Sequence, residues 1–143
     1  MMTIRFGSCL FSLSLALALA VNASLPAMAD DNPTISAWYA ALIDSDRAGF
    51  GELLAVDAVI VLQDLGITQT KAEFIAALDA WETAAEGVRI RHRVDGGENG
   101  LIAVAVCYDF PDNQLLTREL SAIEANRITK SVQAGVSDDC GDL

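Results

Sequence analysis

Between Asn32 and Gly87 the chain sets out two helix-length segments, one apolar strand, a loop and a third helix, in that order. Asn32 suits a helix N-cap with Pro33 at the first helical position. Ile35, Trp38, Tyr39, Leu42 and Ile43 then fall at the spacing of one apolar stripe. Ser45-Asp46 ends that helix or caps the next, in which Phe50, Leu53 and Leu54 repeat the spacing briefly. Val56 to Leu62 is almost wholly apolar, which predicts a strand covered on both faces. Asp64 to Gln69 reads as a loop. Thr70-Lys71-Ala72-Glu73 is a capping box, where each end residue's side chain satisfies the other's free backbone N–H. The helix it starts carries Phe74, Leu78, Trp81 and Ala85 inward, and Gly87 suits the left-handed position just past its end.

The remainder is strand-rich. Val88 to Asp95 alternates strictly, and Gly96 to Gly100 turns it into a second strand, Leu101 to Phe110. Pro111-Asp112-Asn113 makes the next turn. Leu115 to Ala125 and Ile128 to Ala134 follow, joined around Asn126-Arg127, with a flexible C-terminal tail expected from about residue 135. No repeat or Pro/Gly-rich linker divides the chain, so one domain is expected over residues 30–143.

Residues 1–29 have the three parts of a secretory signal peptide. Arg5 supplies the positive start, Leu10 to Val21 the apolar run, and Ala27-Met28-Ala29 the small-residue cleavage site. A membrane-spanning helix needs about 20 apolar residues, and this run is shorter. The expectation is a periplasmic or secreted protein with no membrane attachment after cleavage. The whole chain carries a net charge of −11, and losing Arg5 makes it more negative still. Nucleic acid is excluded as a partner on that ground, because binding phosphate backbones requires a basic face.

Cys9 leaves with the signal, so Cys107 and Cys140 remain in an oxidising compartment. A bridge between them would close 33 positions of chain and stabilise the fold by roughly 3–4 kcal/mol. The alternative, a thiol buried at Cys107 and a free one at Cys140, stays open. With no Cys-x-x-Cys pair and a single histidine, His92, no metal site is expected, and no cofactor is indicated.

The runs Trp38 to Asp46, Leu53 to Ile60 and Thr70 to Trp81, in this order, resemble the nuclear transport factor 2-like superfamily, and within it the SnoaL-like and ketosteroid-isomerase-like branch. The resemblance implies an α+β fold: a cone-shaped roll in which a curved, mostly antiparallel sheet wraps three N-terminal helices. It also implies an apolar pocket on the concave side and an outer sheet face able to pair two subunits as a homodimer. Steroid isomerases of the superfamily use a helix-one tyrosine to polarise a carbonyl and a strand-one aspartate to move a proton. Those places fall near Trp38 and Leu62 here. Tyr39 and Asp64 lie one and two residues further on, and one residue turns a helical side chain by about 100°.

Several residues could carry chemistry. Asp64 stands where the first strand meets its loop and could act as a general base, or it could simply cap the loop backbone. His92 shares a strand face with Val88, Ile90 and Val94, so its imidazole points to the apolar side while Arg89, Arg91 and Arg93 take the other. Asp64 and His92 are the candidate proton-transfer pair. Trp38, Tyr39, Trp81 and Tyr108 are the candidate ligand-binding residues, with core packing as the alternative for both tryptophans. Tyr108 and Asp109 lie on opposite faces of their strand, and one of them looks inward. Three readings of function follow: an exported pocket protein binding a small apolar or amphipathic molecule without turnover, an isomerase or lyase using the same pocket for proton transfer, or a dimeric interaction protein with a filled core.

Overall fold

The computed structural model describes residues 32–143. The expected signal peptide and its cleavage site lie outside these residues. Helix α1 spans Pro33–Asp44; the Asn32 side chain accepts hydrogen bonds from the backbone N–H groups of Thr34 and Ile35. Ser45 closes it in the left-handed conformation, and Asp46 caps α2, Arg47–Leu53, through the Gly49 N–H. Both roles considered for Ser45-Asp46 are therefore filled, one by each residue. Of the expected α1 stripe, Ile35, Trp38, Tyr39 and Leu42 are buried, whereas Ile43 points outward.

Strand β1, Leu54–Leu62, leads through a 3-10 turn, Gln63–Leu65, to β2, Ile67–Thr70. The region expected as a loop thus ends in a short edge strand. Gly66, at φ 63°, lets the chain reverse so that Ile67 to Thr70 pair antiparallel with β1. Thr70 then serves twice, ending β2 and capping α3, Lys71–Ala84, through the complete capping box with Glu73. Strands β3, Arg89–Glu98, β4, Leu101–Asp109, β5, Gln114–Glu124, and β6, Arg127–Ser137, follow as successive antiparallel hairpins.

The six strands form one unclosed sheet in the order β2-β1-β6-β5-β4-β3, in which only the β1–β6 pair is parallel. Register shifts between Val94 and Gly96, Leu116 and Thr117, and Ala122 and Ile123 mark bulges. A bulge bends its strand and increases the local twist, which is how such a sheet curves around a helical layer. The three helices fill the concave side, giving an α+β cone.

Strand β1 is not covered on both faces as expected. Val59 is 38% exposed while Ala58 and Ile60 beside it are buried, and Val56, at 89%, lies where the pairing with β6 shifts register between Leu54 and Val59 and the alternation breaks. The helices cover only the concave face, so an apolar run in a one-layer cone still leaves alternate side chains in solvent. Ile90, His92 and Val94 are half-buried on the concave side of β3, and Arg89, Arg91 and Arg93 are exposed on the convex side, as expected. Arg89 pairs with Asp109 and Arg93 with Asp95. The chain from residue 135, expected as a flexible tail, continues β6 to Ser137, and Cys140 is then bridged to Cys107 on the convex face of β4. Arg91 adds a hydrogen bond to the Leu143 backbone oxygen, so the last residues are tied to the sheet.

Candidate functional site: an apolar cavity backed by a buried carboxylate

Helix α3 and the concave sheet face enclose a cavity of about 430 Å³. Phe74, Leu78 and Trp81 line it from α3, Leu42 from α1, and Leu62, Leu115, Thr117 and Gln133 from the sheet. Tyr108 and Phe110 complete an aromatic wall. The Trp81 ring stands nearly perpendicular to both, at centroid distances of 5.9 and 6.3 Å. The indole N–H of Trp81 donates to the Leu42 carbonyl at 2.8 Å, which fixes the ring's orientation and satisfies its polar edge.

Behind this wall lies Glu119, 1% exposed and held by three hydroxyls from three elements. Tyr108 donates to its Oε1 at 2.7 Å, Thr117 to the same oxygen at 3.0 Å, and Tyr39, from α1, to Oε2 at 2.9 Å. Register explains the convergence. Val104 faces Glu119 and Val106 faces Thr117 across β4–β5, so Tyr108, Thr117 and Glu119 share the concave face. A buried carboxylate is costly unless hydrogen-bonded, and here both oxygens are served. Burial raises the Glu119 pKa, opposed by the hydrogen bonds from Tyr108, Tyr39 and Thr117. Burial also pushes both phenols up, with the nearby Glu119 charge acting in the same direction.

A raised carboxyl pKa has a definite sign in stability. Below the unfolded-state value both states hold the proton and the group contributes no penalty. As pH climbs from there through the folded-state pKa, the unfolded chain sheds its proton first and folding loses stability. Glu119→Gln abolishes that titration while keeping an acceptor for Tyr108 and Thr117. Urea midpoints measured from about pH 4 to pH 8 should therefore fall with rising pH more steeply in the native protein than in the variant. Parallel profiles would mean that the folded and unfolded states hold the Glu119 proton equally.

The expected site residues are distributed as follows. Trp81 and Tyr108 line the cavity, and Tyr39 sits one layer behind it. Tyr108, not Asp109, looks inward; Asp109 faces Arg89 and Gln114. Trp38 does not line the cavity. Its ring lies 5.0 Å from Phe50 and 5.2 Å from Phe74, inside the helical core, because α1 turns Tyr39 rather than Trp38 toward β5. Asp64 and His92 do not form a pair. Asp64 is exposed in the 3-10 turn and accepts from the Gly135 N–H of β6, tying the turn to that strand rather than capping its own loop. His92, on the far edge strand, packs its ring 4.5 Å from that of Tyr39. Strands β6, β5 and β4 lie between β1 and β3.

Glu119 was not among the candidates. Apolar alternation along Leu116, Leu120 and Ala122 suggests that these face the core, whereas Thr117, Glu119 and Ser121 are the buried set at 6%, 1% and 5% exposure. The available signal was the repeat of polar residues at Thr117, Glu119 and Ser121, opposite apolar β4. Among the described residues, no group of three or more His, Cys, Asp or Glu side chains is placed to hold a metal ion.

No protein-family model and no curated protein sequence matches this chain. Solved structures do. An NTF2-like protein of unknown function from Burkholderia xenovorans superposes with a TM-score of 0.59 at 14% identity, covering 72% of this chain and 80% of that one. A provisionally named ketosteroid isomerase from Kribbella flavida gives 0.57 at 14% identity, over 73% and 76%. A SnoaL-like protein from Agrobacterium tumefaciens, provisionally named an isomerase, gives 0.59 at 14% identity, over 73% and 96%. The fold is thus the nuclear transport factor 2-like cone of the ketosteroid-isomerase-like and SnoaL-like proteins. At these identities the likeness is one of fold.

Proposed function

We propose that this protein binds a small, largely apolar molecule in the cavity beneath α3 and does not transform it. The observation that carries the reading is the lining itself: hydrophobic and aromatic side chains with a few neutral polar groups, and, among the described residues, no aspartate, glutamate, lysine, arginine or histidine. Such walls bury a ligand and fix its orientation. General-base catalysis requires a base within hydrogen-bond reach of the substrate, and among the described residues no carboxylate, imidazole or amine side chain lines the cavity. Export accompanies this reading. The order of charge, apolar run and small residues before Asp30 supports it, as does the Cys107–Cys140 bridge, since disulfides persist in oxidising compartments.

Native mass spectrometry of the protein from its own compartment is expected to show a co-purified ligand on a chain beginning at Asp30. Ala77, on the cavity side of α3, tests the site directly. Ala77→Trp should fill the cavity and weaken binding of the apolar dye N-phenyl-1-naphthylamine at least tenfold, with little change in urea midpoint. Undiminished dye binding would place the ligand elsewhere.

One observation favours a second reading, an isomerase acting by proton transfer. Tyr108 lines the cavity and is hydrogen-bonded to Glu119, so a proton could pass between carboxylate and ligand through the phenol. The neighbours provisionally named as isomerases agree with it. Deuterium uptake from heavy water into the co-purified ligand, lost in Tyr108→Phe, would decide for turnover.

A further inference from the structure

We propose that the cavity selects ligands whose polar head donates hydrogen bonds, above all a protonated amine on an apolar body, and rejects carboxylates. This rests on the binding reading above and specifies the class of molecule bound. The Tyr108 hydroxyl has one proton, directed to Glu119 Oε1 at 2.7 Å, and the Thr117 hydroxyl directs its own to the same oxygen at 3.0 Å. Both residues also line the cavity. Their donors are spent, so what they offer a ligand is oxygen lone pairs. A ligand head that donates meets two acceptors; one that only accepts finds those two hydroxyls committed elsewhere.

Charge acts in the same direction. The hydrogen-bond partners of Glu119 are three neutral hydroxyls, and its carboxylate lies one hydroxyl away from the cavity. A second cleft of about 320 Å³ adjoins the cavity, sharing Leu62, Leu65, Leu115, Thr117 and Gln133 with it, and it is lined by Asp64. Among the described residues, no lysine, arginine or histidine lines either space. An anionic head would be desolvated there with no countercharge to offset the loss of its water. A cationic head would be drawn to Glu119 through Tyr108 and favour its ionised form, and the Trp81, Tyr108 and Phe110 rings of the lining add the attraction of aromatic faces for cations. The overall charge of −11 further enriches cations near the surface.

The test compares one apolar body with three heads. 1-Naphthylmethylamine, 1-naphthalenemethanol and 1-naphthoate are titrated at pH 7 against the protein loaded with N-phenyl-1-naphthylamine. The expected order of displacement is amine, then alcohol, then carboxylate, with the amine at least tenfold tighter than the carboxylate. Glu119→Gln should bring amine and alcohol to within about threefold of one another, while Asp64→Asn, at the outer cleft, should change the ratio less. Naphthoate binding as tightly as the amine in the native protein overturns the proposal, whatever the variants do. So does an amine preference that survives Glu119→Gln undiminished. Dye binding that none of the three displaces removes the head-group selectivity but leaves an apolar binding cavity standing. Absence of dye binding altogether removes the cavity as a binding site, and this proposal with it.

Discussion

Trp38→Ala is expected to lower stability by about 3–5 kcal/mol, the usual consequence of removing a fully buried indole. Trp38 is 2% exposed and sits where the three helices meet. It touches Phe50 of α2 edge-on at 5.0 Å and stacks on Phe74 of α3 at 5.2 Å, while Phe50 and Phe74 themselves contact at 5.0 Å. Truncation leaves a void bordered by two rigid rings, which cannot collapse without moving a helix. Domains of this size are stable by only about 5–15 kcal/mol, so a large share of the total is lost. Urea unfolding followed by circular dichroism measures it. Trp81→Ala is the comparison: Trp81 is half-buried beside an existing cavity, so its loss should cost less stability and more ligand affinity. A midpoint for Trp38→Ala within 0.3 M of the native value would show that the helical core does not depend on this ring.

Removing the Cys107–Cys140 bridge is the second large effect, expected at about 3–4 kcal/mol in the loop-entropy description for a 33-residue separation. Cys107 is fully buried and Cys140 is 4% exposed, so a thiol reagent reaches the sulfurs only when the chain opens. Reductant should therefore leave the folded protein bridged for hours and reduce it quickly above its unfolding midpoint. The double variant Cys107→Ala, Cys140→Ala should unfold at lower urea with its ligand cavity intact, because the bridge lies on the convex face and the cavity on the concave one. Free thiols titrating in the folded native protein would mean that the two cysteines are not joined.

The helical layer was legible because its signals are local. Asn32-Pro33, Asp46 and the Thr70–Glu73 box act through side chains within a few residues of the backbone groups they satisfy, and the stripes of α1 and α3 need only one helix each to be read. Strand β2 was missed because four residues after a 3-10 turn carry almost no periodicity of their own, and they become a strand only by lying against β1. The functional end of the molecule was harder still. Alternation along β5 says that Leu116 and Leu120 share one face and Thr117, Glu119 and Ser121 the other, but a period of two does not say which face is inside.

The sequence by itself determined the order of the helices and of the five longer strands, the helix caps, the inward face of β3, and the presence of two cysteines able to pair. The tertiary structure alone decided that Tyr39, Tyr108 and Thr117 converge on Glu119, that Trp38 belongs to the core, and that Asp64 and His92 stand apart. The physical reason is separation along the chain. Tyr39 and Glu119 are 80 residues apart. Neither carries a local mark of the other, since the burial that makes a carboxylate need three hydroxyls exists only once the sheet has closed over the helices.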